Sequence, residues 1–333
     1  MKMFKWFQRH QRIANIVMKD HVIRYLELKQ TNPLILSRCE ERYLPSGIIQ
    51  EGKIVDEEIL ATILEECVSD WKIKNRRVRF IVPDPVVVIR SISLPKELED
   101  DEIRSYLFME LGTTIHLPFE EPVFDYTIVE RTKEKLVILL FAAPEHIVKS
   151  YSELLEEVKL RPIAADISPL CIYRLFHAAD QAKKEDHLLL VQVDLSAVNV
   201  SAFHQHRPIF MRQLLFEPEF DQWEKKTDAF GSIALEWQGE EEEPLRQLED
   251  VYKEIERVMS FYRFSIQQGN AQISRILLTG DHPYLSQIYA AMRERFDISV
   301  DILSENVIAS ANRKTISPSY HLALGLALKE GTS

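Results

Sequence analysis

Apolar residues recur in this chain in one arrangement used twice. Ile16-Val17-Met18 runs into a turn at Lys19-Asp20-His21, returns as Val22 to Leu28, and restarts at Pro33 towards Tyr43. Further on, Leu188 to Val193 leads through Asp194-Leu195-Ser196-Ala197 into Val198 to Phe203, and Pro208 opens a third run to Phe216. Each copy reads as strand, tight reversal, strand, short loop and strand, so the pattern predicts two related halves.

Between and after these trios the apolar period changes. Ile59, Leu60, Ile63, Leu64 and Cys67 form a helical stripe from about Asp56, a plausible cap, to Trp71. Arg77 to Val82 resumes as a strand. Residues 86–143 read as a small α+β insert: strand Val86 to Leu94, helix Glu99 to Leu111, strand Val123 to Glu130, a hairpin at Arg131 to Lys135, and strand Leu136 to Phe141. Glu97, Glu99, Asp100, Asp101 and Glu102 are expected in the first turns of the insert's helix, where the dipole favours anions, with Gly112 as its stop. Helices at Glu145 to Leu160 and Ser168 to Ala179 flank a strand at Pro162 to Asp166, and Lys183 to Asp186 reads as a hinge.

The second half continues through a weakly patterned region at Glu219 to Pro244, whose acidic run Glu240 to Glu243 reads as a solvated loop. A helix from Leu245 to Gln268, strand Ile273 to Thr279, the turn Gly280-Asp281-His282-Pro283, helix Tyr284 to Arg295, strand Ser299 to Leu303 and helix Ser317 to Lys329 follow. The predicted fold class is α/β, with a first lobe at 1–182 carrying the insert and a second at 186–333 whose last helix, 317–329, packs back on the first.

The bulk numbers narrow the function. With 333 residues, 46% hydrophobic and 28% charged, the chain can bury a full core. A net charge of −11 argues against a general nucleic-acid binder. Cys39, Cys67 and Cys171 are isolated and fit a reducing cytoplasm. Nothing apolar is long enough to span a bilayer. Met1 to Arg12 mixes Phe4, Trp6 and Phe7 with Lys2, Lys5, Arg9 and Arg12 but lacks signal-peptide features; it reads as a tail covering the sheet edge rather than as a contact for an anionic membrane. His204 and His206 alternate at a strand end and would share a face, as a two-His metal site requires, but without a third ligand in sequence no metal is expected. No Ser, His and Asp set sits in a hydrolase context.

Ile23-Arg24-Tyr25-Leu26-Glu27-Leu28, Leu44-Pro45 to Ile48 with Gly52-Lys53-Ile54, Ile115 to Pro118 followed by Glu120 to Tyr126, and His321 to Leu328 together resemble the PilM family of type IV pilus assembly. The resemblance implies a duplicated actin-like (ribonuclease H-like), FtsA-like fold with an interlobe cleft. It also implies a cytoplasmic protein, peripheral to the membrane through a PilN-like bitopic inner-membrane partner whose N-terminal tail docks between the first lobe and the insert, alongside other pilus-assembly or secretion components. Val87, Ile89, Leu107 and Phe108 are the candidate groove residues.

Against the family pattern the phosphate loops depart. Val17 stands where the metal-organising Asp belongs and Lys19 where Gly belongs; Asp194 persists, but Ser196 replaces a glycine; no Gly-Gly follows Arg212; Gly280 persists, followed by Asp281 and His282 in place of small residues. The chain has only nine glycines, well below an average of about 7%. Side chains in turns that approach phosphate occlude it. The expectation is a pseudo-ATPase scaffold with no bound cofactor and no catalytic or metal residues, its relict cleft marked by Lys19, Asp194, Ser196 and Gly280. Asp194 is expected to turn its hairpin rather than hold a cation, and Lys19 could instead face a phosphate. Two alternatives are an ATP-binding switch or slow ATPase, and an FtsA-like membrane-associated filament former.

Overall fold

The structure is a computed structural model that describes residues 13–215, 222–227, 233–240, 243–304, 308–310 and 316–329. Met1 to Arg12, expected as an edge-covering tail, lie outside the described residues.

The first half opens with the antiparallel meander β1 (Ala14–Lys19), β2 (Val22–Thr31) and β3 (Leu34–Tyr43), followed by the small ribbon β4 (Ile49–Gln50) and β5 (Lys53–Ile54). Next come α1 (Glu57–Asp70) and β6 (Arg77–Ile81), which runs parallel to β1. Asp56 caps α1 by accepting the Ile59 N–H at 3.0 Å. Leu60, Leu64 and Cys67 of its stripe are buried, whereas Ile59 is 48% exposed.

The insert follows. Strands β7 (Val88–Leu94), β8 (Pro122–Arg131) and β9 (Leu136–Pro144) form a sheet in the order β7-β9-β8, covered by α2 (Ile103–Glu110). Its own core includes Leu94, Ile103, Leu107, Ile138 and Leu140. The acidic run does not occupy the first turns of α2, which starts only at Ile103. Its residues fold into a preceding turn, in which Glu102 accepts the Glu99 N–H at 3.1 Å, because a carboxylate can bond nearby backbone ahead of a helix as well as inside one. The chain returns to the first sheet through α3 (Glu145–Glu157), β10 (Arg161–Asp166) and α4 (Ser168–Ala178).

The second half repeats the meander as β11 (Leu188–Val193), β12 (Ala197–His204) and β13 (Arg207–Leu215). The weakly patterned stretch holds a hairpin, β14 (Trp223–Thr227) and β15 (Ile233–Trp237), missed because its charged and aromatic residues do not alternate cleanly. Helix α5 (Glu243–Phe261), a π-helical turn at Tyr262–Ile266, β16 (Arg275–Thr279), α6 (Leu285–Arg295), β17 (Ser299–Ile302), β18 (Ile308–Ser310) and α7 (His321–Ala327) complete the described elements. Glu243 opens α5, so the acidic run reaches into a helix instead of ending in a loop.

The two main sheets match strand for strand. One runs β3-β2-β1-β6-β10 and the other β13-β12-β11-β16-β17; in each, the first three strands are antiparallel and the last two parallel to the first. Beyond the expected repeat, β18 leaves the second half to pair in parallel with β3 in the first sheet. Every residue of α7 is buried, in a core shared by Val17, Leu26 and Ile81 of the first sheet and by Leu190, Phe203 and Leu277 of the second. The C-terminal segment is thus a staple across the lobes.

His204 and His206 do not share a face. Gln205 and His206 take positive φ (52° and 61°) in the β12–β13 reversal, which ends strand alternation. His204 stacks on His187 with ring centroids 3.9 Å apart, whereas His206 bonds the Tyr173 hydroxyl through Nδ1 at 2.7 Å. Among the described residues no group of three or more His, Cys, Asp or Glu side chains could hold a metal ion.

Candidate functional site

The β1–β2 and β11–β12 reversals face each other across the interlobe cleft, and the turn after β16 lies beside the second. Side chains from all three meet. Lys19 Nζ lies 2.7 Å from Asp194 Oδ1 and 3.0 Å from Asp281 Oδ2; Arg24 Nη1 reaches Asp281 Oδ2 at 2.5 Å, and His21 Nε2 stands 3.3 Å from the same oxygen. Arg24 Nε also pairs with Glu41 at 3.0 Å. Backbone completes the knot: Leu195 N–H donates to Asp281 Oδ1 and Asp281 N–H to Asp194 Oδ1, both at 3.2 Å. Asp194 also accepts from Gln192 at 2.5 Å. Its side chain thus takes Lys19 of the other lobe as its cation, while the hairpin is closed by its backbone N–H, which donates to the Ala197 carbonyl at 2.9 Å.

The electrostatics follow from burial and pairing. Burial works against the Asp281 carboxylate, yet Lys19, Arg24 and His21 hold it well below the usual carboxylate range. Burial raises Asp194 despite Lys19. Lys19 is itself raised, because the two carboxylates outweigh the loss of water. Asp20, next to Lys19, points the other way and accepts the Glu51 and Gly52 amides at 2.8 and 3.1 Å, tying the first turn to the β4–β5 ribbon.

Of the four cleft residues proposed from sequence, Lys19 and Asp194 are bonded partners. Ser196 lines the cleft beside them. Gly280 serves backbone packing: at φ +139°, a Cβ there would lie 1.8 Å from the Val193 carbonyl oxygen, so the turn sits directly on β11. Asp281 is the hub that the sequence marked only as a departure from a pattern. A charged residue after a cleft glycine, in the other lobe from Lys19 and Arg24, was the available signal.

Next to the hub, Asp84 accepts from Ser168 and from Asn199 Nδ2, the latter at 2.7 Å. It lines a space of about 70 Å³ with Lys19, Asp194, Asn199 and Ser196, and the Asn199 Oδ1 is buried without a hydrogen-bond partner. That is room for about two waters. On the outer side, Trp223 lies edge-on to His282 (5.8 Å) and against Tyr284 (5.6 Å), over the turn that follows Gly280, and Lys225 sits 5.4 Å above the Tyr43 ring of the opposite lobe. The hairpin β14–β15 thereby bridges the cleft, leaving a cavity of about 890 Å³ lined by Tyr43, Ile49, Ser196, Leu215 and Trp223 among others.

Two buried histidines brace this region. His282 follows the hub, and His321 bonds Thr279 at 2.9 Å, joining α7 to β16. Burial pushes both down to about 4. Their unfolded value is near 6.5, so each gives stability that is complete above that pH and is lost as pH falls towards 4, up to about 3 kcal/mol apiece. Asp84, pushed up to about 6 by burial, acts in the opposite sense and gains as pH falls below 6. The losses at the two histidines outweigh the gains at Asp84 and at Asp194, which burial also raises: the melting temperature should drop between pH 6.5 and 4.5, and His321→Gln should shrink that drop. Calorimetry across the range checks this, and a flat profile contradicts it.

The partner-groove residues proposed from sequence are dispersed. Leu107 is fully buried in the insert's core, Val87 and Ile89 are partly buried where the insert meets Ile167 and Ala143, and Phe108, 75% exposed, stands on α2 with its ring near Phe124. None of them lines the groove that does lie between the insert and the first lobe. That groove, about 350 Å³, is bounded by Val123 of β8, Val148 and Lys149 of α3, and Pro162 to Ala165 of β10. Sequence periodicity assigned these residues to elements but could not show that β10 ends its sheet.

Comparison with known proteins agrees with this architecture. A solved PilM-PilN type IV pilus biogenesis complex is similar at 18% identity and TM-score 0.75, with 95% of this chain and 97% of that chain covered. Ethanolamine utilization protein EutJ from Carboxydothermus hydrogenoformans is similar at 9% identity and TM-score 0.52, over 95% of this chain and 88% of that one. The cytoplasmic domain of EpsL, an inner-membrane component of the Vibrio cholerae type II secretion system, is similar at 9% identity and TM-score 0.50, covering 96% of each chain. No curated protein sequence matches. The fold shared with these structures is actin-like. The family described as type IV pilus assembly protein PilM matches residues 16–331, nearly the whole length, and the chain belongs to that family.

Proposed function

We propose that this chain is a cytoplasmic scaffold of a type IV pilus-like assembly, secretion or competence machine, docking the N-terminal tail of a PilN-like bitopic inner-membrane protein. Its units are the lobes 1–182 and 186–333, with the insert on the first. The observation that carries the docking is the groove along β10, the terminal strand of the first sheet, walled by Val123 of the insert and Val148 of α3. An extended tail laid there gains backbone hydrogen bonds and seats alternate side chains in an apolar trough, while the Glu145–Lys149 ion pair at 2.7 Å edges it with both charges. The similar solved complex pairs a PilM with a PilN, which supports the same choice of partner here.

The cleft supports a pseudo-ATPase. Lys19 is already neutralised by Asp194 and Asp281, so it has no spare charge for a phosphate, and the anionic hub stands where a polyphosphate would need donors. The residues do not fit a magnesium triphosphate: Val17 supplies no carboxylate to organise the metal, and the gap between the turns holds about 70 Å³. The outer cavity of about 890 Å³ is the one observation that favours an ATP-binding switch instead, since it lies within the range of small-molecule sites.

Titrating the purified protein with a tail peptide, and separately with ATP and magnesium, tests both parts. Val123→Asp and Ile163→Asp should weaken the peptide at least about tenfold with the melting temperature kept, because a charge would be desolvated in the trough. Unchanged affinity would remove the groove from the proposal. ATP at about 1 mM should leave the melting temperature where it was, and a rise would favour the switch.

A further inference from the structure

Among the described residues the two most exposed large apolar side chains, Phe108 at 75% and Met109 at 69%, sit side by side on α2 of the insert. A single exposed apolar residue is ordinary, but an adjacent pair on the solvent face of a helix whose other face is already packed marks a contact surface. Phe108 is also held in place: its ring lies 6.1 Å from that of Phe124 on β8, over which the Arg104 guanidinium sits at 5.4 Å. Met109 beside it is unbranched and adapts its shape to what it touches.

The pair is next to the tail groove. Strand β8 is an edge of the insert sheet, and its successive residues Val123 and Phe124 belong to opposite faces. Val123 walls the groove, whereas Phe124 lies in the core under α2. Groove and helix pair are thus on the two sides of one sheet edge, and about four extended residues suffice to round it, at about 3.4 Å each against a layer spacing of about 10 Å. Charge is uneven here as well. Residues 86–143 hold six Lys and Arg against eleven Asp and Glu, a net −5 in a chain of −11. Glu121 and Asp125 flank Val123 on its face of β8, and Asp101 stands just ahead of α2. All three are exposed, with no cation within 4 Å among the described residues.

The sign of this rim selects the occupant. Acids repel anionic lipid and nucleic acid, and a second copy of the same face would set acid against acid. A cytoplasmic segment next to a membrane span is the opposite case, since such segments carry an excess of Lys and Arg. We propose that Phe108 and Met109, rimmed by Asp101, Glu121 and Asp125, are a second docking surface for the same membrane partner, and take the basic stretch of its tail between the groove-bound start and the span. The choice of partner rests on the docking function proposed above; the surface itself is read from the insert. An apolar side chain of the stretch covers the Phe108 and Met109 pair while its Lys and Arg residues face the acids. The tail is then held at two points a few residues apart, and the second contact adds affinity because the first keeps it at high local concentration.

Two synthetic peptides from the tail of the single-span protein encoded beside this one test it: a short one ending with the tail's apolar start, and a long one running to the first residue of the span. The long peptide should bind at least about tenfold tighter at low salt, and its advantage should shrink as salt rises. Phe108→Ser with Met109→Ser should remove the advantage and leave the short peptide's affinity unchanged, as should replacing the Lys and Arg residues of the long peptide by Gln. Asp101→Asn, Glu121→Gln and Asp125→Asn combined should flatten the salt dependence. Each variant should keep its melting temperature, because these side chains are exposed. Val123→Asp separates the two readings: if it spares the long peptide while the Phe108 and Met109 changes weaken it, the groove is wrong and the second surface stands. Equal affinities for the two peptides, or an advantage of the long one untouched by the Phe108 and Met109 changes, would overturn the second surface alone, and failure of both peptides to bind would overturn both readings.

Discussion

Asp281→Ala should lower stability by about 3 to 5 kcal/mol and the melting temperature by about 10 °C. Its carboxylate is the shared acceptor of Lys19, Arg24 and His21 and also takes the Leu195 N–H. Removing it leaves two permanent cations withdrawn from water with Asp194 and Glu41 as their remaining partners. The expected cost is that of an uncompensated buried charge, larger than the net worth of the network. For that reason the fourfold variant Lys19→Met, Arg24→Met, Asp194→Asn and Asp281→Leu, which leaves no unpaired charge in the knot's centre, should recover much of the loss. Because the contacts to Lys19, His21 and Arg24 cross between lobes, amide exchange should rise at the β1–β2 and β11–β12 turns first. An Asp281→Ala protein with an unchanged melting curve would show that the cluster is an ornament of the cleft and does not fasten it.

Gly325→Val should be at least as damaging. Helix α7 lies on α4 so closely that a Cβ at position 325 would meet the Cys171 carbonyl oxygen at 2.0 Å, and backbone on both sides leaves no flexible end to yield. The same carbonyl row is anchored elsewhere: Arg174 donates to the Gly325 oxygen at 2.8 Å and Arg79 to the Ala327 oxygen at 3.3 Å, while Asp166 pairs with Arg174 and Lys329. Displacing α7 would break these bonds and loosen Leu322, Leu324 and Leu326, which are buried between the lobes. Each buried leucine is worth about 1.5 to 3 kcal/mol, so a loss above about 4 kcal/mol is expected. Expression in the soluble fraction and thermal melting report it. Leu328→Ala, next to the helix end, is the milder control and should leave a folded protein.

Particular elements show what could be read from the residues. The strand trios were legible because β1, β11 and β12 are apolar-rich runs between polar turns, and α1 because Asp56 precedes a helical stripe. The hairpin β14–β15 was not, since its stabilising contacts, Trp223 on His282 and Lys225 over Tyr43, are made with residues distant in sequence. Leu107 and Phe108 show the same limit at a finer scale. Both are apolar neighbours on one helix, and only the packing of α2 on its sheet decides that one is core and the other is exposed.

The sequence by itself determined the duplication, the family, and the loss of glycine and carboxylate from the phosphate turns, because local periodicity and turn chemistry are written in adjacent residues. It could not determine what replaced them. That Lys19, Arg24, Asp194 and Asp281 form one ionic knot and that β18 and α7 staple the lobes were decided by the tertiary structure, since charges act through space and chain separation carries no information about distance.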